Sequence, residues 1–265
     1  NVALVQNQPT IMATFLILLA FVCLDTGRPV AAGAVLALAA AIKLTPAAYA
    51  LLFLLDRQYR ALLAFALIGG ALGLFSLALA GIDLHLTFLA TVRAIREQAL
   101  VNAVNVSLLP ALMTLGALFG LRPPFDTEST FAVLSPVPQW LQAGISLAGA
   151  IAVIAFLVAL KDHPGPMRRL IGLLALSIIL ALFGPLGWLH YYLLPLLLLP
   201  ALFGLMPRNT ALPAAIAVAI VSFRPLLGHI ALLPWPVANY LWLSVTAWLL
   251  VLATLYRSVS RQGRL

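Results

Sequence analysis

Residues 61–80 read ALLAFALIGGALGLFSLALA, an uninterrupted apolar run without a single charge. A helix of that length, at about 1.5 Å per residue, matches the ~30 Å hydrocarbon core of a bilayer. The whole chain has the same character. Of its 265 residues, 64% are hydrophobic and 8% charged, with a mean hydropathy of +1.11. Soluble domains average roughly 45–50% apolar and about 25% charged residues. A soluble enzyme, a disordered chain, a disulfide-stapled secreted fold and a nucleic-acid reader are all excluded by this balance. Fifteen basic against seven acidic residues give +8, but the basic residues punctuate apolar runs, as membrane topology requires. Cys23, the one cysteine, lies within an apolar run, so neither a disulfide nor a cysteine metal site is on offer.

Working outward from 61–80, six further runs are long enough to read as spans: Thr10–Leu24, Leu141–Leu160, Leu170–Phe183, His190–Met206, Ala211–Phe223 and Tyr240–Tyr256. Val30–Ile42, Pro46–Leu55 and Ser107–Leu121 are too short or too broken to cross alone. Charges flank Val30–Leu55 at both ends, with Asp25 and Arg28 before it and Asp56, Arg57 and Arg60 after it. Cytoplasmic loops collect Lys and Arg, so both flanks belong on one side. The Lys43-Leu44-Thr45-Pro46 break, where proline removes a donor and biases Thr45 out of helix, then predicts a re-entrant hairpin. The expected fold is therefore an all-α transmembrane bundle, a single domain over 1–265, with about seven full spans plus that hairpin. The resulting map puts ten of the fifteen basic residues inside and five outside, the latter being Lys43, Arg93, Arg96, Arg122 and Arg224. Trp140, Trp188, Tyr191, Tyr192, Trp235, Tyr240 and Tyr256 fall near proposed span ends, as an interfacial belt does.

Polar groups inside apolar sequence mark the candidate chemistry, because such groups are costly there and face a cavity or a partner. Lys43 either snorkels to headgroups from the hairpin apex or neutralises an anion, for which a lipid phosphate fits its compact charge. Gln6-Asn7-Gln8-Pro9 either caps the first helix or offers amides to sugar hydroxyls. The stretch 82–107 reads as an interfacial amphipathic helix, with Arg93 and Arg96 three apart on one face and Asp83 and Glu97 nearby. Asn105-Val106-Ser107 also matches the short N-glycosylation pattern. Gly184-Pro185-Leu186-Gly187-Trp188-Leu189-His190 is a helix break that delivers His190, either as a packed histidine or as a functional one. No histidine pair has metal-ligand spacing, and neither a phosphate-binding glycine loop nor a nucleophile elbow occurs.

Four of these pieces, in this order, carry a resemblance. They are Asn7-Gln8-Pro9-Thr10; Ala32-Gly33-Ala34-Val35-Leu36-Ala37 leading to Lys43-Leu44-Thr45-Pro46; Asn105-Val106-Ser107-Leu108; and Gly184 through His190. Together they make the chain similar to glycosyltransferase family 87, multispanning enzymes of the C-type superfamily that use polyprenyl-phosphate-linked sugars. The resemblance extends to about Leu205. It implies transfer of a sugar, mannose being the expected one, from a polyprenyl-phosphate donor to a lipid or glycan acceptor on the outer face. It also implies a bacterial inner-membrane location, with membrane lipids but no nucleic acid as partners. On this reading Lys43, Thr45, Arg93 and Arg96 bind the donor phosphate, and Gln8, Asn105 and His190 orient sugar or acceptor. No cofactor or metal is expected. The family's acidic catalytic residue would lie ahead of the first span, in a part of the chain that the start at Asn1 suggests is missing, which leaves Asp83 as the fallback base. A transporter or lipid flippase, whose helices are also broken at depth, and a non-catalytic subunit that binds lipid phosphate are the competing classes.

Overall fold

The computed structural model describes residues 8–102, 104–120, 133–222 and 236–262. These form helices joined by short breaks and one small two-stranded ribbon. The chain divides into two compact units, 1–92 with 160–176, and 93–159 with 177–265.

The first unit opens with α1 (Thr10–Asp25) and α2 (Pro29–Ile42), which pack along one another. At Lys43 the backbone turns extended (φ −151°, ψ 127°), and a 3-10 turn over Thr45–Tyr49 leads into the six-residue α3 (Ala50–Leu55). The long α4 (Tyr59–Arg96) follows and is interrupted at Gly81 (φ 76°, ψ 163°), a conformation that glycine adopts at little cost. His85 spans the interruption: its Nδ1 donates to the Gly81 carbonyl at 2.8 Å, and its Nε2 meets Ser76 Oγ at 3.2 Å. The regular helix over 61–80 therefore ends at the boundary that its composition predicts. The amphipathic segment beyond it is helical only to Arg96, after which the chain enters a strand.

Two contacts hold this unit together. Gly33 of α2 lies so close to the start of α4 that a Cβ there would stand 2.1 Å from the Ala61 carbonyl oxygen. The second is ionic. The Asp56 carboxylate is almost fully buried and accepts from Arg168 Nε and from Arg169 Nη1 at 2.5 Å. Arg169 also meets Asp25 at 2.5 Å, so the end of α1, the end of α3 and the first turns of α7 (Gly165–Phe183) converge on one charge cluster.

In the second unit, β1 (Gln98–Val101) pairs antiparallel with β2 (Val133–Pro136), Gln98 opposite Pro136 and Ala99 opposite Ser135. Between them runs α5 (Leu108–Leu118), and after them α6 (Gln139–Leu160). Ala99, Val101, Leu109, Met113, Val137 and Ile145 form the core beneath the ribbon. Beyond α7 the chain is broken repeatedly: a 3-10 turn at Leu189–Tyr192, α8 (Leu193–Leu198), a second 3-10 turn and the four-residue α9 (Leu202–Leu205). Helices α10 (Arg208–Ser222) and α11 (Pro236–Gln262) then pack on each other.

This corrects the expected seven spans plus a re-entrant hairpin. Among the described residues, four helices are long and apolar enough to cross a membrane: Tyr59–Arg96, Gln139–Leu160, Gly165–Phe183 and Tyr240–Arg261. The other three expected spans fail for identifiable reasons. Thr10–Asp25 has 16 residues, about 24 Å of helix. Pro195 and Pro200 divide 189–205 into short pieces, and α10 has 15 residues with Pro213 inside it. The return arm of the expected hairpin is a 3-10 turn and a six-residue helix rather than one continuous helix. The membrane assignment itself is firm. Leu63, Leu67, Leu74, Phe75 and Leu79 all stand exposed along α4. A helix that apolar and that uncovered needs lipid around it.

Removing the Asp56 carboxylate would leave two largely buried guanidinium groups without their shared partner. Asp56→Ala should destabilise the first unit by about 3–5 kcal/mol, measured as the unfolding free energy in detergent. Leu54→Ala, at an exposed apolar position in the last turn of α3, should change it little.

Candidate functional site

The sequence motifs come together in two pairs, one in each unit. In the first unit, Lys43 meets the start of α1. Its Nζ donates to Thr10 Oγ1 at 3.2 Å, and its backbone N–H closes the last turn of α2 on the Ala39 carbonyl. Lys43 is half-buried, Thr10 is 6% exposed and Pro46 is buried, whereas Leu44 and Thr45 are exposed. The break thus sets an ammonium against a buried hydroxyl at the edge of apolar helices. Gln8, half-buried two residues ahead of Thr10, belongs to the same corner; Asn7 lies outside the described residues. Asp83 is exposed just beyond the Gly81 interruption, and no described contact ties it to Lys43.

In the second unit, the segment around Asn105 is stitched to the break around Gly187. The backbone supplies three links: Val106 N–H to the Gly187 carbonyl at 2.7 Å, Leu189 N–H to the Val104 carbonyl at 2.9 Å, and an antiparallel bridge between Asn105 and Trp188. The Asn105 side chain, fully buried, adds the rest. Its Oδ1 accepts from Gly187 N–H at 2.6 Å and from Ser107 Oγ at 3.2 Å, while its Nδ2 donates to the Leu100 carbonyl at 2.8 Å. Gly187 is required by this closeness: a Cβ would stand 2.5 Å from the Ala181 oxygen and 2.6 Å from the Val106 oxygen. Asn105 is consequently out of reach of a glycosylating enzyme, and its amide works as a clamp on backbone.

That clamp fixes His190. The imidazole is 7% exposed, parallel to the Trp188 ring at 6.3 Å and edge-on to Tyr191 at 4.8 Å. Tyr192, read from sequence as part of the interfacial belt, is buried; its hydroxyl donates to the Val106 carbonyl at 2.5 Å and its ring stacks on Trp248 at 4.8 Å. Sequence reasoning missed Tyr192 and Gly187 as positioning residues. The signal that could have found them is their place immediately around the Gly/Pro break.

Arg93 is exposed and faces Glu97 at 3.6 Å, an i,i+4 surface pair of little energetic weight. Arg96 lies at the end of α4, where its carbonyl accepts from Gln142 Nε2 at 2.5 Å. Arg96 and Gln142 line a cavity of about 260 Å³ together with Gly184 and Pro185. Arg96, Asn105 and His190 thus belong to one unit, while Gln8, Lys43 and Thr45 belong to the other.

With this geometry in place, comparison with known proteins settles the class. The sequence profile of glycosyltransferase family 87 matches residues 2–185, and the chain belongs to that family. No curated protein and no solved structure matches it. The protein is therefore a membrane-embedded member of a glycosyltransferase family.

Asn105→Ala would strand the Gly187 N–H and the Leu100 carbonyl in buried surroundings, each worth about 1–3 kcal/mol. Hydrogen exchange should show the Gly187 and Leu189 amides losing protection together in this variant, while amides of α1 keep theirs. Unchanged protection at Gly187 would show that the clamp is unimportant.

Proposed function

We propose that the protein is a C-type glycosyltransferase that moves a sugar, mannose in the first instance, from a polyprenyl-phosphate carrier to a lipid or glycan acceptor. The proposed setting is a bacterial inner membrane, with the reaction at its outer face. Family membership supports the transferase class, and the Lys43–Thr10 corner is the observation that carries the mechanism.

In such a transfer, the bond between the sugar's anomeric carbon and the phosphate oxygen breaks. The phosphate keeps the electron pair and gains negative charge as the acceptor oxygen bonds to the anomeric carbon and gives up its proton. A cation held beside that phosphate in apolar surroundings stabilises the charge as it develops, where low dielectric strengthens the interaction. Lys43 suits this role because it sits at a helix break, is half-buried, and is oriented by the Thr10 hydroxyl. Thr45, exposed beside it, offers a hydroxyl to the same phosphate, and Gln8 an amide to the sugar. In the second unit, Arg96 and Arg93 offer cationic groups to lipid phosphate, while Asn105 acts through the backbone it clamps and so sets His190 for hydroxyl contacts.

The acceptor's proton needs a base. Asp25 and Asp56 are held by Arg169 and Arg168, Glu97 faces Arg93, and Asp162 faces Lys161. Among the described residues Asp83 is the acidic side chain outside these ion pairs, which leaves it as the fallback for that role.

Membranes containing the protein should transfer radiolabelled mannose from polyprenyl-phosphate-mannose to a new product. Lys43→Met should lower the rate about 10²–10³-fold, the cost of losing one preorganised charge-stabilising group. Thr10→Val, which removes only the orienting hydroxyl, should lower it several-fold. Full activity in Lys43→Met would sink this mechanism. Absence of transfer from any polyprenyl-phosphate sugar, with uptake of a labelled solute into proteoliposomes, would replace the transferase with a transporter.

A further inference from the structure

Two turns of the first unit are built alike. After α1 the amides of Thr26, Gly27 and Arg28 donate to the carbonyls of Val22, Leu24 and Cys23. After α3 the amides of Asp56, Arg57 and Gln58 donate to those of Leu52, Leu54 and Phe53. This is one helix-ending pattern used twice, and its middle residue adopts the left-handed conformation. In the first turn that residue is Gly27 (φ 75°), and in the second it is Arg57 (φ 55°), the one non-glycine residue with positive φ among the described residues. A side chain there costs energy that glycine avoids. The turn itself gains nothing from arginine: Arg57 is exposed and takes part in no ion pair among the described residues.

The surroundings supply a reason for it. The two turns lie side by side, because Arg169 reaches Asp25 with Nη2 and Asp56 with Nη1, each at 2.5 Å. The starts of α2 and α4, which follow those turns, also touch where Gly33 meets Ala61. Arg28, Arg57 and Arg60 are therefore gathered at one corner, all of them exposed. The acids of that corner are already engaged, Asp25 and Asp56 by Arg168 and Arg169, and Asp162 by Lys161. The charges of Arg28, Arg57 and Arg60 remain without a carboxylate. Beside them the surface is apolar: Val22 near the end of α1, Val30 at the start of α2, and Tyr59, Leu63 and Leu67 along α4 stand exposed. Arg60, Leu63 and Leu67 follow one helix face. The cations thus edge a surface that needs lipid around it.

We propose that this corner binds the headgroup of an anionic phospholipid, its phosphate held by Arg28, Arg57 and Arg60 and its acyl chains lying along Val30, Leu63 and Leu67. Guanidinium groups suit that partner, since their planar fork pairs with phosphate oxygens two at a time. The apolar edge selects a lipid over a soluble anion. Lys43 closes the opposite end of α2, about 20 Å away at ~1.5 Å per residue, so this site is distinct from the Lys43–Thr10 corner and does not depend on the transferase reading.

The test is lipid retention by the purified protein in detergent, read by native mass spectrometry, with phosphatidylglycerol and phosphatidylcholine of identical acyl chains as probes. The wild-type protein should hold phosphatidylglycerol about tenfold more tightly, the effect of one net charge-assisted contact. Arg57→Gly separates binding from folding, because it removes the charge while restoring the residue that the turn prefers. It should unfold no earlier than the wild type on heating in detergent, and yet lose most of the preference. Arg28→Gln and Arg60→Gln, at backbone positions with negative φ, should each weaken the preference as well. Arg208→Gln, at an exposed helix start in the other unit, should leave it intact. Equal retention of the two lipids by the wild type, or a preference that survives in the variant lacking all three arginines, would overturn the proposal. Displacement of phosphatidylglycerol by inorganic phosphate would overturn it in favour of a soluble anion, and tighter retention of polyprenyl phosphate in favour of a carrier site.

Discussion

A helix that breaks inside an apolar protein exposes N–H and C=O groups that water cannot reach, and those groups must find partners. The pairing of residues 104–106 with 187–189 is the answer here. Gly184-Pro185 ends α7, and the freed backbone at Gly187 and Leu189 is taken up by Val106, Val104 and the Asn105 amide. Much of the second unit is arranged around that exchange. Gly187 must lack a Cβ for the two segments to approach. Tyr192 must reach back to the Val106 carbonyl, which brings its ring onto Trp248 of α11. His190, between them, is held against Trp188 and Tyr191 by the same arrangement.

The first unit solves a different problem, that of charge in apolar surroundings. Two carboxylates and two guanidinium groups share one cluster, and each Asp56 oxygen has a different arginine. Burying either sign alone would be prohibitive, and pairing with fork-shaped donors limits the loss. Lys43 stands at the break after α2, where its ammonium donates to the Thr10 hydroxyl at the start of α1.

The long spans were legible because length and freedom from charge suffice to define them. The stretches read as 61–80, 141–160, 170–183 and 240–256 all fall within the long apolar helices found. Hydropathy could not see where prolines cut a run. Pro195, Pro200 and Pro213 sit in sequence as apolar as any span, yet each removes a helical hydrogen bond. The ribbon was invisible for another reason: Gln98–Val101 and Val133–Pro136 are four residues each and more than thirty apart, too short to show an alternating pattern. The motifs themselves were legible as separate pieces. Their pairing was not, because nothing in Lys43-Leu44-Thr45-Pro46 points to Thr10 and nothing in Asn105-Val106-Ser107 points to Gly187. Arg168 and Arg169 misled more subtly. Counted as orientation signals, they turn out to be engaged with Asp25 and Asp56, so the cation tally carried less topological information than its two-to-one ratio implied.

The cations of the two units stand in different surroundings. Arg168 and Arg169 are committed to carboxylates and would have to abandon them to meet a phosphate. Arg93 is exposed on a helix face, where it pairs with Glu97. Lys43 and Arg96 are placed differently along the chain. Each stands where a regular helix ends and apolar surface begins, which is the place a lipid phosphate must occupy if its chain is to remain in hydrocarbon. For a donor that arrives through the membrane, a cation at a helix end beside apolar surface is the feature that binding requires.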